Sequence, residues 1–325
     1  MAKGRPVHWL DRAVALALPA GTWFRDGWGD ERVFEETSPE EAAPLPPPPA
    51  IEIAWEREER FAGLRVRDGS FESPEARLPA AVRRARLRLV EPAGGAGAAC
   101  LHLASSGEQG YSRRARFARP LVGAGIAAVL LEQPYYGSRR PPGQEGVALR
   151  RVSDLILMGA AAVREGRALL GWLRASGLER VGVSGFSMGG QMAAAVAASL
   201  PFPVAAAPLA PSDSPAFVFA EGMLRAYPRW RSLAGPGLDP GEARQRLRDL
   251  LSRYAVTRMP PPRAPGAAVI VGAADDGFVS PGDVRRIAAH WPGSELRWVA
   301  GGHASAFLLA GDVMRRAISD AFERL

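Results

Sequence analysis

An α/β protein with a mainly parallel sheet is what this sequence predicts, on three observations. From residue 98 onward, short continuous apolar runs recur, each about one strand long. Segments of helical periodicity separate them. The runs end in turn residues, such as Ser105-Ser106-Gly107 and Pro134-Tyr135-Tyr136-Gly137. Buried strands that alternate with helices require right-handed crossovers, and hence parallel pairing.

The elements follow in order. Residues 1–43 read as mixed helix and loop, with the apolar run Ala13–Ala20 forming an amphipathic helix. That run is short for a membrane span, and Asp11 and Arg12 interrupt its approach. "PLPPPP" at 44–49 is an extended connector, because proline fixes φ and donates no hydrogen bond. Residues 1–50 are therefore set apart as an N-terminal segment and linker. Alternating residues at 51–55 and 85–92 read as strands with one wet face. Buried strands are expected at 98–104, 125–134, 180–186, 204–211, 266–275 and 294–300. Helices are expected at 152–177, 188–200, 281–291 and 304–324. From about 212 to 262 the alternation breaks into helices among Pro/Gly turns, which reads as a cap inserted over the carboxyl edge of the sheet.

Composition narrows the function. The 325 residues carry a net charge of +7, yet Lys3 is the only lysine. Arginine supplies nearly all the basicity, alongside abundant Ala, Gly and Pro, which reads as compositional bias and not as a nucleic-acid surface; no recognised nucleic-acid module accompanies the charge. Cys100 is alone, so there is no intrachain disulfide. The four histidines, His8, His102, His290 and His303, show no paired metal-ligand spacing, so no metal is expected.

"GFSMG" at 185–189 lies between a strand and a helix. A tight turn there forces an unfavourable backbone on Ser187 and excludes bulk at Gly185 and Gly189. It lifts Oγ above the sheet and sets the Met188 N–H at a helix N-terminus, where it can stabilise an oxyanion. A nucleophilic serine needs a base. His8 lies outside the expected core, His290 ends a helix and His102 is inside a buried strand. His303, on the Gly-rich loop after the last strand, remains. Asp275 and Asp276, where a strand leaves the sheet between serine and histidine, are both open as the orienting carboxylate. The second oxyanion donor is expected on the loop after the first long buried strand, at Ala104 or Ser105. Arg113, Arg114 and Arg139 are candidates either to pair with a phosphate headgroup or to serve as solvated surface or ion pairs, and Tyr135 is a further candidate substrate contact.

With these residues placed, the chain resembles the alpha/beta hydrolase domain-containing protein 18 family and its bacterial relatives. "RDGWG" (25–29), "GSFESP" (69–74), "LHLASSGEQGYSRRARFARPL" (101–121) and "LLEQPYYGSRRP" (130–141) carry the likeness. So do "GVSGFSMGGQMA" (182–193), "WPGSELRWVAGGHASAF" (291–307) and "AISDAFERL" (317–325). The resemblance implies an α/β-hydrolase fold over 51–325 and a triad of Ser187, Asp276 and His303. "DGFVS" is similar to the Asp-x-x-Val-Pro turn of such hydrolases, which selects Asp276 over Asp275, although Ser280 stands where the family usually has Pro. Ser105-Ser106-Gly107 likewise departs from the family's "GTG", and the cap is shorter than in its animal members. The expected protein is a cofactor-free serine hydrolase of a small-molecule or lipid ester. It is expected to be cytoplasmic, with peripheral membrane association as a candidate and no obligate protein partner. A silent hydrolase-fold scaffold and an acyltransferase on the same triad are the alternatives.

Overall fold

The computed structural model describes residues 7–17, 19–37 and 46–325. In chain order its elements begin with α1 (Trp9–Ala17), α2 (Arg32–Glu36), β1 (Ala54–Phe61), β2 (Leu64–Glu72), α3 (Ala80–Arg83) and β3 (Arg84–Pro92). Then come β4 (Ala98–Leu103), α4 (Ser112–Gly123), β5 (Ile126–Leu131), α5 (Val152–Ala175), β6 (Arg180–Phe186) and α6 (Met188–Ala198). They continue with β7 (Ala205–Leu209), α7 (Pro215–Ala220), α8 (Trp230–Ala234) and α9 (Pro240–Ser252). Last are β8 (Val269–Ala273), α10 (Pro281–His290), β9 (Glu295–Val299), α11 (His303–Leu309) and α12 (Gly311–Glu323).

The strands form a nine-stranded sheet in the order β1-β2-β3-β5-β4-β6-β7-β8-β9. The first three strands and the β3–β5 pair are antiparallel; the pairs from β5 through β4 to β9 are parallel. The expected α/β-hydrolase architecture is therefore present. Burial follows composition: β4 and β8 are buried at every residue, whereas β1 (AWEREERF) is exposed at every residue. A charged edge of this kind discourages pairing with another chain. Apolar residues of α5, α6 and α10 cover one face of the sheet, and those of α4 and α12 cover the other.

Three expectations change. The strand expected at 51–55 begins only at Ala54 and runs to Phe61, and a second strand, β2, pairs with it along its length. Its alternation, interrupted by Asp68 and Gly69, gave too weak a period-2 signal. The single helix expected at 304–324 divides into α11 and α12 at Ala310. Finally, the N-terminal segment packs into the domain. Trp23 bridges Pro228 of the cap, the Trp23 N–H donates to Tyr227 O (3.0 Å), and Trp28 Nε1 donates to Leu233 O (2.8 Å). Trp23, Phe24 and Phe34 share one apolar cluster with Phe219, Tyr227, Leu247 and Leu251 of the cap. Part of the connector expected at 44–49 lies outside the described residues.

The cap itself leaves and re-enters the domain at one buried carboxylate. Asp213 accepts hydrogen bonds from the Thr257 N–H (3.0 Å) and Thr257 Oγ1 (2.9 Å), and its own carbonyl accepts from the Val256 N–H (2.8 Å). Both ends of the insertion are thereby fixed above β7 and β8.

Candidate active site

The central strand β6 ends at Phe186, and α6 begins at Met188. Between them Ser187 takes φ 58° and ψ −120°. A non-glycine residue there stores about 1–3 kcal/mol of strain, which the surroundings must hold in place. They do so by close approach. A Cβ on Gly185 would strike the Gly189 carbonyl, and one on Gly189 would lie 2.5 Å from Leu103 O and 2.8 Å from Ala104 O. The Ser187 N–H donates to Leu209 O of β7 (2.8 Å). The small residues of "GFSMGG" are thus required by backbone packed on backbone.

β8 and β9 deliver the other two groups at the same sheet edge. His303 Nδ1 lies 2.6 Å from Asp276 Oδ2. Asp276 Oδ1 accepts from the N–H groups of Phe278 and Val279, both at 2.8 Å, which fixes the carboxylate plane. Asp275 instead uses its backbone, donating to Gly301 O (2.9 Å), so Asp276 is the imidazole's partner. Burial would push the His303 imidazole down, but the charge and hydrogen bond of Asp276, with the charge of Asp11, hold its pKa above the ordinary histidine value. Phe186 and Phe278 flank the ring at centroid distances of 4.7 and 5.5 Å. With Nδ1 engaged, Nε2 is the nitrogen available to Ser187.

Ser187, Met188, Ser105 and His303 line one cavity of about 710 Å³. Ala104 is buried directly beneath the loop and is not part of the lining. The Ser105 N–H leans on Glu108 Oε2 at 3.4 Å, and the loop rests against Gly189. The Met188 N–H lies at the first turn of α6, where helix backbone donors lack an intrahelical partner. Away from Ser187 the cavity follows α6 through Gln191, Met192, Ala195 and Ser199, and α5 through Ile156, Gly159, Val163 and Arg167. Met188 to Ser199 spans about 16 Å of helix. Phe219 and Leu224 of the cap and Trp23 close the cavity from above.

Of the candidate substrate contacts, Arg113 lines the cavity, with its guanidinium 4.6 Å above the Phe307 ring. Three others do not. Arg114 is buried and donates to Glu108 Oε1 (2.9 Å) and to the carbonyls of His102 and Leu131 (2.6 and 2.7 Å). It braces the loop from behind. Arg139 is buried in a two-point ion pair with Glu165 (2.6 and 2.8 Å) and also donates to Val82 O and Glu132 O. Tyr135 is a core residue, and its carbonyl accepts from Gln144. A guanidinium with its donors directed at internal acceptors has none left for a phosphate.

The remaining histidines serve structure. Burial and the Arg114 charge push His102 down to about 3, so it is neutral, and its ring meets the edge of Phe117. His290 Nε2 lies 2.8 Å from Met259 O. His8, expected outside the core, donates its N–H to Asp275 O (3.1 Å). Asp11 is the residue that sequence reasoning missed. It is fully buried and accepts from the N–H groups of Gly277, His303 and Ala304. The only signal was a carboxylate at the head of an apolar run, which does not say which way it faces.

The structure is similar to that of acetyl xylan esterase 1 from Thermoanaerobacterium sp. JW/SL YS485 (TM-score 0.58, 14% identity, 94% of this chain and 96% of that chain covered). It is also similar to acetyl xylan esterase from Paenibacillus sp. R4 (TM-score 0.58, 15% identity, 95% and 98% covered). A third is an S-formylglutathione hydrolase from Agrobacterium tumefaciens (TM-score 0.54, 14% identity, 84% and 99% covered). At such identities the likeness is one of fold. The sequence itself matches the family model described as alpha/beta hydrolase domain containing 18 over residues 21–239 and 237–324. Those residues include the strained serine turn and both strand ends that meet it, and the chain belongs to the alpha/beta hydrolase domain containing 18 family.

Proposed function

We propose that this protein is a serine hydrolase that cleaves a carboxylic ester with an apolar, lipid-like acyl group through Ser187, Asp276 and His303. The observation that carries the proposal is the 2.6 Å contact of His303 Nδ1 with Asp276, placed in the same cavity as a serine held at φ 58°. His303 Nε2 takes the Ser187 proton as Oγ attacks the ester carbonyl. In this reading the Met188 N–H at the head of α6 stabilises the developing oxyanion, assisted by a backbone N–H of the Ser105–Gly107 loop that lines the cavity. The C–O bond breaks, and the imidazolium gives its proton to the departing alkoxide. Water, deprotonated by the same imidazole, then hydrolyses the acyl-enzyme and restores Ser187. These steps need no reactant beyond ester and water.

The acyl preference rests on the cavity. Its walls along α5 and α6 are mainly Leu, Ile, Met, Val and Ala, so an alkyl chain placed there leaves water, at roughly 0.8 kcal/mol per buried methylene. Trp9, Leu16, Leu308 and Leu309 stand exposed on α1 and α11, and Val14 and Leu308 reach the cavity wall. An apolar rim of this kind suits an ester presented from a lipid phase. Arg113 beside that rim suits an anionic group on the leaving alcohol.

A fluorophosphonate probe should label the wild type at Ser187 and leave Ser187→Ala unlabelled. An ester panel from acetate to palmitate should show hydrolysis by the wild type, rising toward longer acyl chains, and none by Ser187→Ala. Folded wild-type protein that neither labels nor turns over any ester would sink the proposal.

A further inference from the structure

We propose that Asp11, on the N-terminal helix α1, is a positioning residue that locks the loop bearing Asp276 to the loop bearing His303. Asp11 Oδ2 accepts from the Gly277 N–H, directly after Asp276, and from the His303 N–H, both at 2.9 Å. Oδ1 accepts from the Ala304 N–H at 2.8 Å. One carboxylate thus holds the backbone on the far side of both the acid and the base. These are charge-assisted bonds away from water, the stronger kind of hydrogen bond.

The surroundings are built for it. Asp11 is 0% exposed. A Cβ on Gly302 would fall 2.5 Å from Asp11 Oδ2 and 2.6 Å from His8 Cβ, so glycine there is what lets α1 approach. The His8 N–H reaches Asp275 O, and the Asp275 N–H reaches Gly301 O, which closes a second link between the same two loops. In a protein interior, a carboxylate without such partners is costly, and among the described residues Asp11 has no cationic side chain bonded to it. Its charge is satisfied by the backbone it orders.

The titratable and charged groups around His303 are Asp276 at its Nδ1, Asp275 and His8 behind the Gly301–Gly302 turn, Arg113 over Phe307, and Asp11. The Asp11 charge favours the imidazolium and so works in the same direction as Asp276. Two consequences follow: geometry, which acts on kcat, and charge, which acts on the pH at which the base becomes neutral.

The inference rests on His303 acting as the base of Ser187, and its test separates the two. Asp11→Ala leaves three backbone N–H donors unpaired, so it is compared with the near-isosteric Asp11→Asn and the charge-keeping Asp11→Glu. In Asp11→Asn, kcat should fall on the order of a hundredfold with KM little changed, as a small misplacement of reacting groups would give. The acid limb of its kcat/KM profile should move to lower pH. Asp11→Glu should lose kcat while its acid limb stays with the wild type. The same direction of shift should appear in the ¹³Cε1 NMR titration of His303, assigned with His303→Gln, which does not depend on turnover. Folded Asp11→Asn protein with wild-type kcat and an unmoved His303 titration overturns the role of Asp11. A wild type that fluorophosphonate does not label overturns the hydrolase reading instead, while the titration still reports on Asp11.

Discussion

The His303 imidazole is pulled two ways. Burial between Phe186 and Phe278 disfavours its charged form, whereas the Asp276 carboxylate favours it and prevails. With His303 as the proposed base, which must be neutral to accept the Ser187 proton, activity should rise with pH through a limb lying above the ordinary histidine pKa. Asp276→Asn removes the stronger charge and reverses the tautomer preference. Its kcat should fall by about 10⁴, with the residual acid limb moved to lower pH, as steady-state profiles would show. At this scale the sequence was informative about residue type and poor about direction. Asp276 and Asp275 are neighbours of equal chemistry, and only the turn decides which one meets Nδ1. Arg139 and Tyr135 stand in a motif beside the catalytic edge, yet their side chains point into the core. Linear order records no such choice.

At the scale of elements, helices α5 and α6 shape the cavity that Ser187 and His303 line. The positions 188, 191, 192, 195 and 199 fall on one stripe of α6, and 156, 159, 163 and 167 on one stripe of α5. Small residues on both stripes leave the channel open: a Cβ on Gly159 would rest 3.5 Å from Met192 Cε. Ala195→Phe should fill the channel midway. We expect hydrolysis of acetate and butyrate esters to persist while palmitate ester hydrolysis drops at least tenfold, measured as kcat/KM across the acyl series. Most strands and the helices α5, α6 and α10 were readable because the 2.0 and 3.6 periods are strong where one face is buried, whereas α4 was not among the expected helices. β2 was not readable, because it carries charge on both faces and finds its place through its neighbours β1 and β3. The division of α11 from α12 was equally hidden, since no proline marks it.

Across the whole molecule, buried ion pairs tie the layers together. The Arg139–Glu165 pair joins α5 to the loop after β5, and Arg139 also reaches Val82 O of α3. With both side chains almost wholly inaccessible, removing one partner strands the other charge. Glu165→Ala should therefore lower stability by about 3–5 kcal/mol in denaturant unfolding. Arg139→Met with Glu165→Leu should recover much of that loss. Part of the remaining arginine charge is paired, as in Arg65–Glu91, Arg88–Asp68 and Arg297–Asp320. No helix among the described residues is long and apolar enough to cross a membrane. The cap and residues 19–37 share a core, so the roof of the cavity is made by two segments some two hundred residues apart.

The sequence by itself determined the α/β order, the serine turn, and the strand-end positions of His303 and the neighbouring Asp275 and Asp276, because each depends on local periodicity or on the steric demands of a few adjacent residues. Only the tertiary structure decided that Asp276 and not Asp275 meets His303, that Arg114 and Arg139 brace the frame, and that Asp11 reaches the loops bearing Asp276 and His303 from the other end of the chain. Those outcomes depend on which side chain faces which neighbour across a long sequence separation. Such facing is set by the packing of whole elements, and no short stretch of residues encodes it.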